Sequence, residues 1–200
     1  VVASALVVIT HNLGIVARYA DRVNVMYAAR LAEQGSAAYV FAKPLHPYTA
    51  GLLRSVPRLD KPRGRKLETI EGLPPNLLDP PPGCRFSPRC AAKIDRCERE
   101  VPPLVQVATH RYSACLRAKE MAQVGPAGLG LQSASTETAV AKKFEKNHPL
   151  LQARELCTYF DVSTGLQLLR RERLEVRAVD GLSFQVFRGE TVGLVGESGC

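Results

Sequence analysis

Four cysteines form the densest group of potential metal ligands in the sequence. They are Cys84, Cys90, Cys97 and Cys115, spaced C-x5-C-x6-C-x17-C and following a proline-rich stretch. Four thiolates suffice for a closed tetrahedral metal site or an iron–sulfur cluster. The spacing matches neither the C-x2-C pairs of common zinc ribbons nor the C-x2-C-x2-C run of bacterial ferredoxins. The pattern therefore predicts a four-sulfur site and leaves open iron–sulfur, zinc, disulfides and free thiols.

The C-terminal residues form a second candidate site. Residues 191–195 (TVGLV) have the composition of a buried strand and lead into Gly-Glu-Ser-Gly-Cys. Glycines after a strand let successive backbone N–H groups converge on phosphate oxygens, so this segment indicates the first half of a phosphate-binding loop. A plain glycine turn is the alternative, because no lysine completes the motif. The candidate contacts are Gly196, Glu197, Ser198, Gly199 and Cys200.

Three further side chains could act on a nucleotide. His11 follows an apolar run, where an imidazole can hydrogen-bond a phosphate and orient a water molecule. Tyr159 and Phe160 close a predicted strand, and a ring there could stack on a purine for about 1–3 kcal/mol. The simpler alternatives are a loop histidine and two core aromatics.

The elements that would position these residues read as strands and helices of an α/β fold. Residues 5–10 (ALVVIT) are typical of a strand buried on both faces of a parallel sheet. Helical spacing follows at residues 15–20, and residues 23–26 and 31–35 predict two more strands, the second ending in a glycine turn. An amphipathic helix is expected at 46–55.

The second half of the sequence contains a low-complexity segment followed by two predicted strands. Residues 121–147 are rich in Ala, Gly, Ser, Thr and Lys without apolar periodicity, which predicts a flexible linker. Beyond it, residues 151–160 and 178–186 predict strands.

Composition narrows the class of protein. The chain has 200 residues, 46% hydrophobic and 23% charged, which is typical of globular proteins. No run approaches the length of a membrane-spanning helix, and residues 1–10 lack a basic leader and a cleavage site. The net charge of +8 suits an anionic partner, but aromatic residues do not interleave the basic patch, so we expect no nucleic-acid partner. That patch contains Arg54, Arg58, Lys61, Arg63, Arg65 and Lys66.

Longer stretches resemble one protein family. LLQARELCTYF and RAVDGLSFQVFRGETVGLVGESGC resemble the start of an ATP-binding cassette (ABC) ATPase of the oligopeptide and dipeptide importer family. ALVVITHNLGIVARYADRVNVMYAARLAEQG resembles the end of such an ATPase. VFAKPLHPYTAGLLRSVP, IEGLPPNLLDPPPGCRFSPRC and THRYSAC resemble the C-terminal extension of peptide-importer ATPases. The resemblance covers nearly the whole chain except the linker.

The resemblance implies fragments of two P-loop ABC ATPase domains, joined by a metal-binding, loop-rich extension and a flexible linker. Residues 1–42 would end the first cassette, and 43–120 would be the extension with its four cysteines. Residues 121–148 would be the linker, and 149–200 would begin a second cassette that stops within its Walker A motif.

The same resemblance assigns roles to the candidate residues. His11 would be the switch histidine facing the γ-phosphate, and Phe160, with Tyr159 second, would stack on adenine. Residues 196–200 would begin the Walker A motif that binds ATP with Mg²⁺. The four cysteines would hold a [4Fe-4S] cluster, with zinc as the alternative.

The implied function is ATP-driven import of dipeptides or oligopeptides. The implied partners are membrane permease subunits, a peptide-binding protein and the second cassette in the same chain, at the cytoplasmic face of the bacterial plasma membrane. Without a signature loop, Walker B carboxylates or the Walker A lysine, the 200 residues alone are expected not to hydrolyse ATP. Two rival interpretations are a cytosolic metal-binding regulatory or redox module and a nucleic-acid binder.

Overall fold

The computed structural model describes residues 4–56, 69–131, 148–162 and 174–196, which form a mixed α/β fold. The α/β part of the predicted fold class is therefore confirmed. In chain order the elements are β1 (Leu6–Thr10), α1 (Leu13–Tyr19), β2 (Arg22–Tyr27), β3 (Arg30–Ser36), α2 (Ala37–Ala42), α3 (Pro47–Ser55), a 3-10 turn (Ser87–Arg89), α4 (Arg96–Arg99), β4 (Val105–Ala108), β5 (Arg111–Ser113), α5 (Ala118–Gly128), β6 (Pro149–Val162), β7 (Leu174–Phe187) and β8 (Thr191–Val195). No helix in these ranges is long and apolar enough to cross a membrane.

The main sheet has six strands in the order β1-β8-β2-β3-β5-β4. β8 runs parallel to both β1 and β2, whereas the β2–β3, β3–β5 and β4–β5 pairs are antiparallel. A strand from the end of the sequence therefore lies between two strands from its beginning. β1 is an edge strand with Leu6 55% and Ile9 76% exposed, so the prediction that it is buried on both faces is wrong for this chain.

The β2–β3 hairpin supplies much of the core. Val23 and Val25 lie in the strand predicted at residues 23–26 and are buried, and Ala28 and Ala29 turn the chain with positive φ angles of 47° and 70°. The predicted glycine turn at the end of β3 is wrong. Strand β3 continues through Gly35 and ends at Ser36, and α2 begins at the next residue, Ala37.

Helix α1 packs closely against β8. Val16 is 1% exposed, and a Cβ atom added at Gly193 would lie 2.5 Å from its Cγ1 atom. A residue without a side chain is therefore needed at position 193 for the helix to approach the strand.

Helix α3 joins the extension to the sheet. It begins at Pro47, whose fixed φ angle suits a first helical position, as predicted. Tyr48 is fully buried, and its ring centroid lies 4.5 Å from that of Tyr27 and 5.4 Å from that of Phe86. These rings connect β2, α3 and the cysteine-bearing segment in one apolar cluster.

The segment predicted as a linker begins inside the folded body. Helix α5 includes residues 121–128, with a kink at Gly125, and Met121 and Leu131 are 1% and 3% exposed. Both pack in a small cluster with Ala50 and Ala92. The folded body thus extends at least to residue 131, and residues 132–147 of the predicted linker lie outside the described ranges.

Strands β6 and β7 form a separate two-stranded antiparallel sheet, and both include the strands predicted there. Leu182 on β7 packs against Met26 and Leu31 of the β2–β3 hairpin, which attaches this second sheet to the first.

Candidate functional site

The carboxyl ends of β1 and β8 form the centre of the first candidate site. The two strands are parallel and in register, with Thr10 opposite Val195. His11 and Gly196 directly follow these paired residues, so both lie at the same edge of the sheet. In open α/β sheets this edge is where ligands bind. Glu197, Ser198, Gly199 and Cys200 lie outside the described residues.

Short-range hydrogen bonds fix the turn that carries His11. The Asn12 N–H donates to Thr10 Oγ1 at 3.0 Å, and Asn12 Oδ1 accepts from the N–H groups of Gly14 and Ile15 at 3.0 and 3.3 Å. Asn12 is therefore the N-cap of α1. The side chain of His11 remains exposed just beyond the strand end, where it could meet a ligand.

Two carboxylates hold β8 in position. Glu190 accepts the N–H of Phe187 at 2.9 Å and pairs with Arg22 at 2.9 Å. Asp21 Oδ2 accepts the Thr191 N–H at 2.8 Å. Because these contacts anchor the start of β8, they also set the position of the residues that follow it. The sequence analysis did not point to Asp21, and it included Glu190 only within the longer stretch that resembles the start of an ABC ATPase.

The two candidate aromatic residues lie on β6, in the two-stranded sheet. The Tyr159 hydroxyl donates to Asp180 Oδ1 at 2.7 Å, and Arg177 lies 5.6 Å from the Tyr159 ring centroid. Phe160 is 58% exposed. Tyr159 is thus engaged within the protein, whereas the Phe160 ring is open to a ligand.

The four clustered cysteines lie in one neighbourhood and are free thiols. The Cys84 N–H donates to the Cys97 carbonyl at 2.8 Å, which joins two parts of the segment. Burial is the main cause that raises the pKa of Cys90 to about 11 and that of Cys115 to about 12, and the neighbouring thiols raise both further. These mutual effects show that the side chains converge.

Convergence alone does not make a metal site. Within residues 4–56, 69–131, 148–162 and 174–196, no three or more His, Cys, Asp or Glu side chains are arranged to hold a metal ion. The metal site therefore stays a prediction.

Comparison with known proteins identifies the family. The family described as "Oligopeptide/dipeptide transporter, C-terminal region" matches residues 32–97. An oligopeptide transport ATP-binding protein, OppD, of Mycobacterium tuberculosis is 40% identical over 199 residues, which are 100% of this chain and 32% of that protein. The chain belongs to the oligopeptide and dipeptide importer family of ABC ATPases.

Further relatives in the family agree with this assignment. A putative peptide import ATP-binding protein of Brucella ovis is 51% identical over 119 residues, 57% of this chain and 35% of that protein. OppD of Salmonella typhimurium is 48% identical over 117 residues, 58% of this chain and 34% of that protein. The chain spans about a third of the length of these relatives.

The region that matches the family model begins within β3. The sequence analysis missed two buried polar residues near its start, Glu33 and His46. The Glu33 carboxylate accepts the N–H groups of Leu45 and His46 at 2.8 and 3.0 Å. His46 Nδ1 accepts the Tyr48 N–H at 3.1 Å and so caps α3. Burial raises the pKa of Glu33 to about 7 and lowers that of His46 to about 4. The only sequence signal was a histidine before the proline that starts a helix.

Proposed function

We propose that this chain is a segment of the ATP-binding subunit of an ABC importer for dipeptides or oligopeptides, in which ATP hydrolysis drives transport. The observation that most supports the proposal is the pairing of Thr10 with Val195 in adjacent parallel strands. It brings together His11 and the first residue of the phosphate loop, which the sequence separates by nearly its whole length. Each residue alone is a weak signal. In the described structure, the strand proposed to start the second cassette pairs with strands proposed to end the first, so the two residues share a sheet edge of the kind that binds ligands.

The roles that we propose for the residues at this edge follow from the chemistry of phosphoryl transfer, which depends mainly on positioning and electrostatics. ATP, with Mg²⁺, supplies the scissile phosphate. Backbone N–H groups from Gly196 onward would bind the phosphates, and the exposed imidazole of His11 would contact the γ-phosphate and orient the attacking water. Phe160, rather than the engaged Tyr159, would stack on adenine.

The proposed domain order has residues 1–42 ending one cassette, 43–120 with α5 forming the extension, and 149–200 beginning a second cassette. End-to-end similarity to a single mycobacterial transport protein supports the continuity of both pieces in one natural chain. The proposed partners are permease subunits and a peptide-binding protein. The location would be peripheral, at the cytoplasmic face of the bacterial plasma membrane.

The test uses the longer protein that contains this segment. We expect His11→Ala to lower kcat for ATP hydrolysis about 100-fold or more while ATP still binds, because the imidazole acts on the attacking water rather than on ground-state affinity. His110→Asn is the matched control, since His110 is exposed in the β4–β5 turn and Asn tolerates its positive φ angle of 55°. An unchanged kcat in His11→Ala would contradict the proposal.

We also propose that the four cysteines hold a [4Fe-4S] cluster, with zinc as the alternative. Support comes from the convergence of four thiols in a segment with few regular elements. The described residues hold no formed metal site, so the proposal rests on the four thiols being neighbours. The role would be structural, because a bound centre offsets the entropy lost in ordering loops.

A further inference from the structure

Asp180, on β7, connects three parts of the chain. Its side chain is 9% exposed, and its backbone N–H donates to the Ala29 carbonyl at 2.9 Å in the β2–β3 turn. Its Oδ2 atom accepts from Arg30 Nε at 3.1 Å and from the Arg85 guanidinium. Its Oδ1 atom accepts from the Tyr159 hydroxyl at 2.7 Å. A nearly buried carboxylate with this many donors is a fixed anchor point, because the charge is compensated only while the donors stay in place.

Arg85 provides the contact from residues 83–97, which we call the cysteine loop. Its guanidinium is buried and also donates to the Ala28 carbonyl. On one side of Arg85, the Cys84 N–H donates to the Cys97 carbonyl; on the other, the Phe86 ring packs in the aromatic cluster. The position of the guanidinium therefore depends on the conformation of the cysteine loop.

The β6–β7 hairpin needs such anchors. A two-stranded sheet is marginally stable in water without further packing. The outer surface of this one is open to solvent, with Leu150 51% and Leu156 46% exposed. Its described attachments to the rest of the protein include the apolar cluster around Leu182 and, two residues away, the contacts of Asp180.

We propose that the cysteine loop and the β6–β7 hairpin dock on each other through the Arg85–Asp180 pair, which we call the latch, and that the stability of each depends on the other. Opening the hairpin leaves the buried Arg85 guanidinium without the Asp180 carboxylate, which is strongly unfavourable, and opening the loop removes one of the two ion pairs of Asp180 and leaves the pair with Arg30. The loop and the hairpin therefore open together more readily than either opens alone. Such coupling is reciprocal by thermodynamic necessity.

The latch has a consequence for nucleotide binding that rests on the proposed function. Asp180 also holds Tyr159, and the next residue is Phe160, the proposed adenine-stacking side chain. A change in the cysteine loop would therefore alter the order of the hairpin that carries this ring. The latch itself requires neither metal nor nucleotide.

The test is hydrogen–deuterium exchange on the 200-residue chain without metal or nucleotide, because exchange rates report local opening. We expect Asp180→Asn and Arg85→Gln each to raise exchange about tenfold or more in both 83–97 and 149–162. The double variant should add little to the larger single effect, since the two residues share one interaction. Arg96→Gln is the matched control: Arg96 lies in the same loop, and the substitution removes only its exposed ion pair with Glu100, so both segments should be unchanged.

Two outcomes would overturn the latch. One is faster exchange confined to 83–97 in Arg85→Gln or confined to the β6–β7 hairpin in Asp180→Asn; the other is additive effects of the two substitutions. Arg85→Lys covers the case in which the other variants do not fold, because it keeps the charge and loses the guanidinium geometry. It should raise exchange in both segments by a smaller factor, and an effect on 83–97 alone would count against the proposal. Because no ATP is present, failure here is distinct from failure of the His11 experiment.

Discussion

Glu33 and His46 are buried next to each other at the start of α3, and their pKa values are displaced in opposite directions. Between pH 4 and 6.5, the unfolded chain protonates His46 and the folded chain does not, so this residue makes stability rise with pH. Between pH 4.5 and 7, the folded chain keeps a proton on Glu33 that the unfolded chain releases, so this residue makes stability fall with pH. Over the shared interval the two effects oppose each other.

Glu33→Gln should therefore expose the effect of His46. We expect the free energy of unfolding of this variant to rise by up to about 3 kcal/mol between pH 4 and 6.5, against a flatter profile for the unmodified chain. Arg111 also faces Glu33 and carries a charge throughout this range. Urea unfolding at a series of pH values measures the slopes, with the exposed Glu71→Gln as control. Parallel profiles for Glu33→Gln and the unmodified chain would refute this account.

At the level of elements, apolar patterns predicted β2, α3 and β8 because each buries the face that its pattern marks. The start of the linker was misplaced for the opposite reason. Residues 121–131 have little periodicity, yet Met121 and Leu131 are buried by contacts with Ala50 and Ala92, which are distant in sequence. The β4–β5 hairpin was missed because its strands have only 4 and 3 residues, too short for a pattern to emerge.

The cysteine loop is the element whose stability should respond most to a single ligand. We expect Cys90→Ser in the anaerobically purified protein to lower bound iron, or zinc, and to speed proteolysis between residues 57 and 115, since fewer ligands would restrain the loop. Elemental analysis, acid-labile sulfide and peptide mapping measure this. Cys157→Ser is the control, because Cys157 lies in β6, outside the cluster. If the two variants have equal metal content and equal digestion rates, the proposal that the four cysteines bind a metal centre is wrong.

At the scale of the whole molecule, the sheet order joins the two ends of the sequence. Residues 1–42 and 174–196 read separately as the end of one cassette and the start of another, and the patterns do not reveal that their strands pair. Two features at β8 explain the pairing: Val192 and Val195 are 0% and 2% exposed, and Gly193 admits α1. The sequence pattern could predict β8 as a strand, but its pairing with β1 and β2 depends on this packing between residues that are distant in sequence.

A pair of shortened chains tests that pairing. A chain ending at residue 190 lacks β8 and keeps the β6–β7 hairpin, whereas one ending at residue 196 keeps both. We expect the shorter chain to lose exchange protection in β1 and α1, because β8 separates β1 from β2 and covers Val16. The longer chain should match the 200-residue chain. If β1 stays equally protected in both, it does not depend on β8, and His11 and Gly196 owe their shared edge to something other than strand pairing.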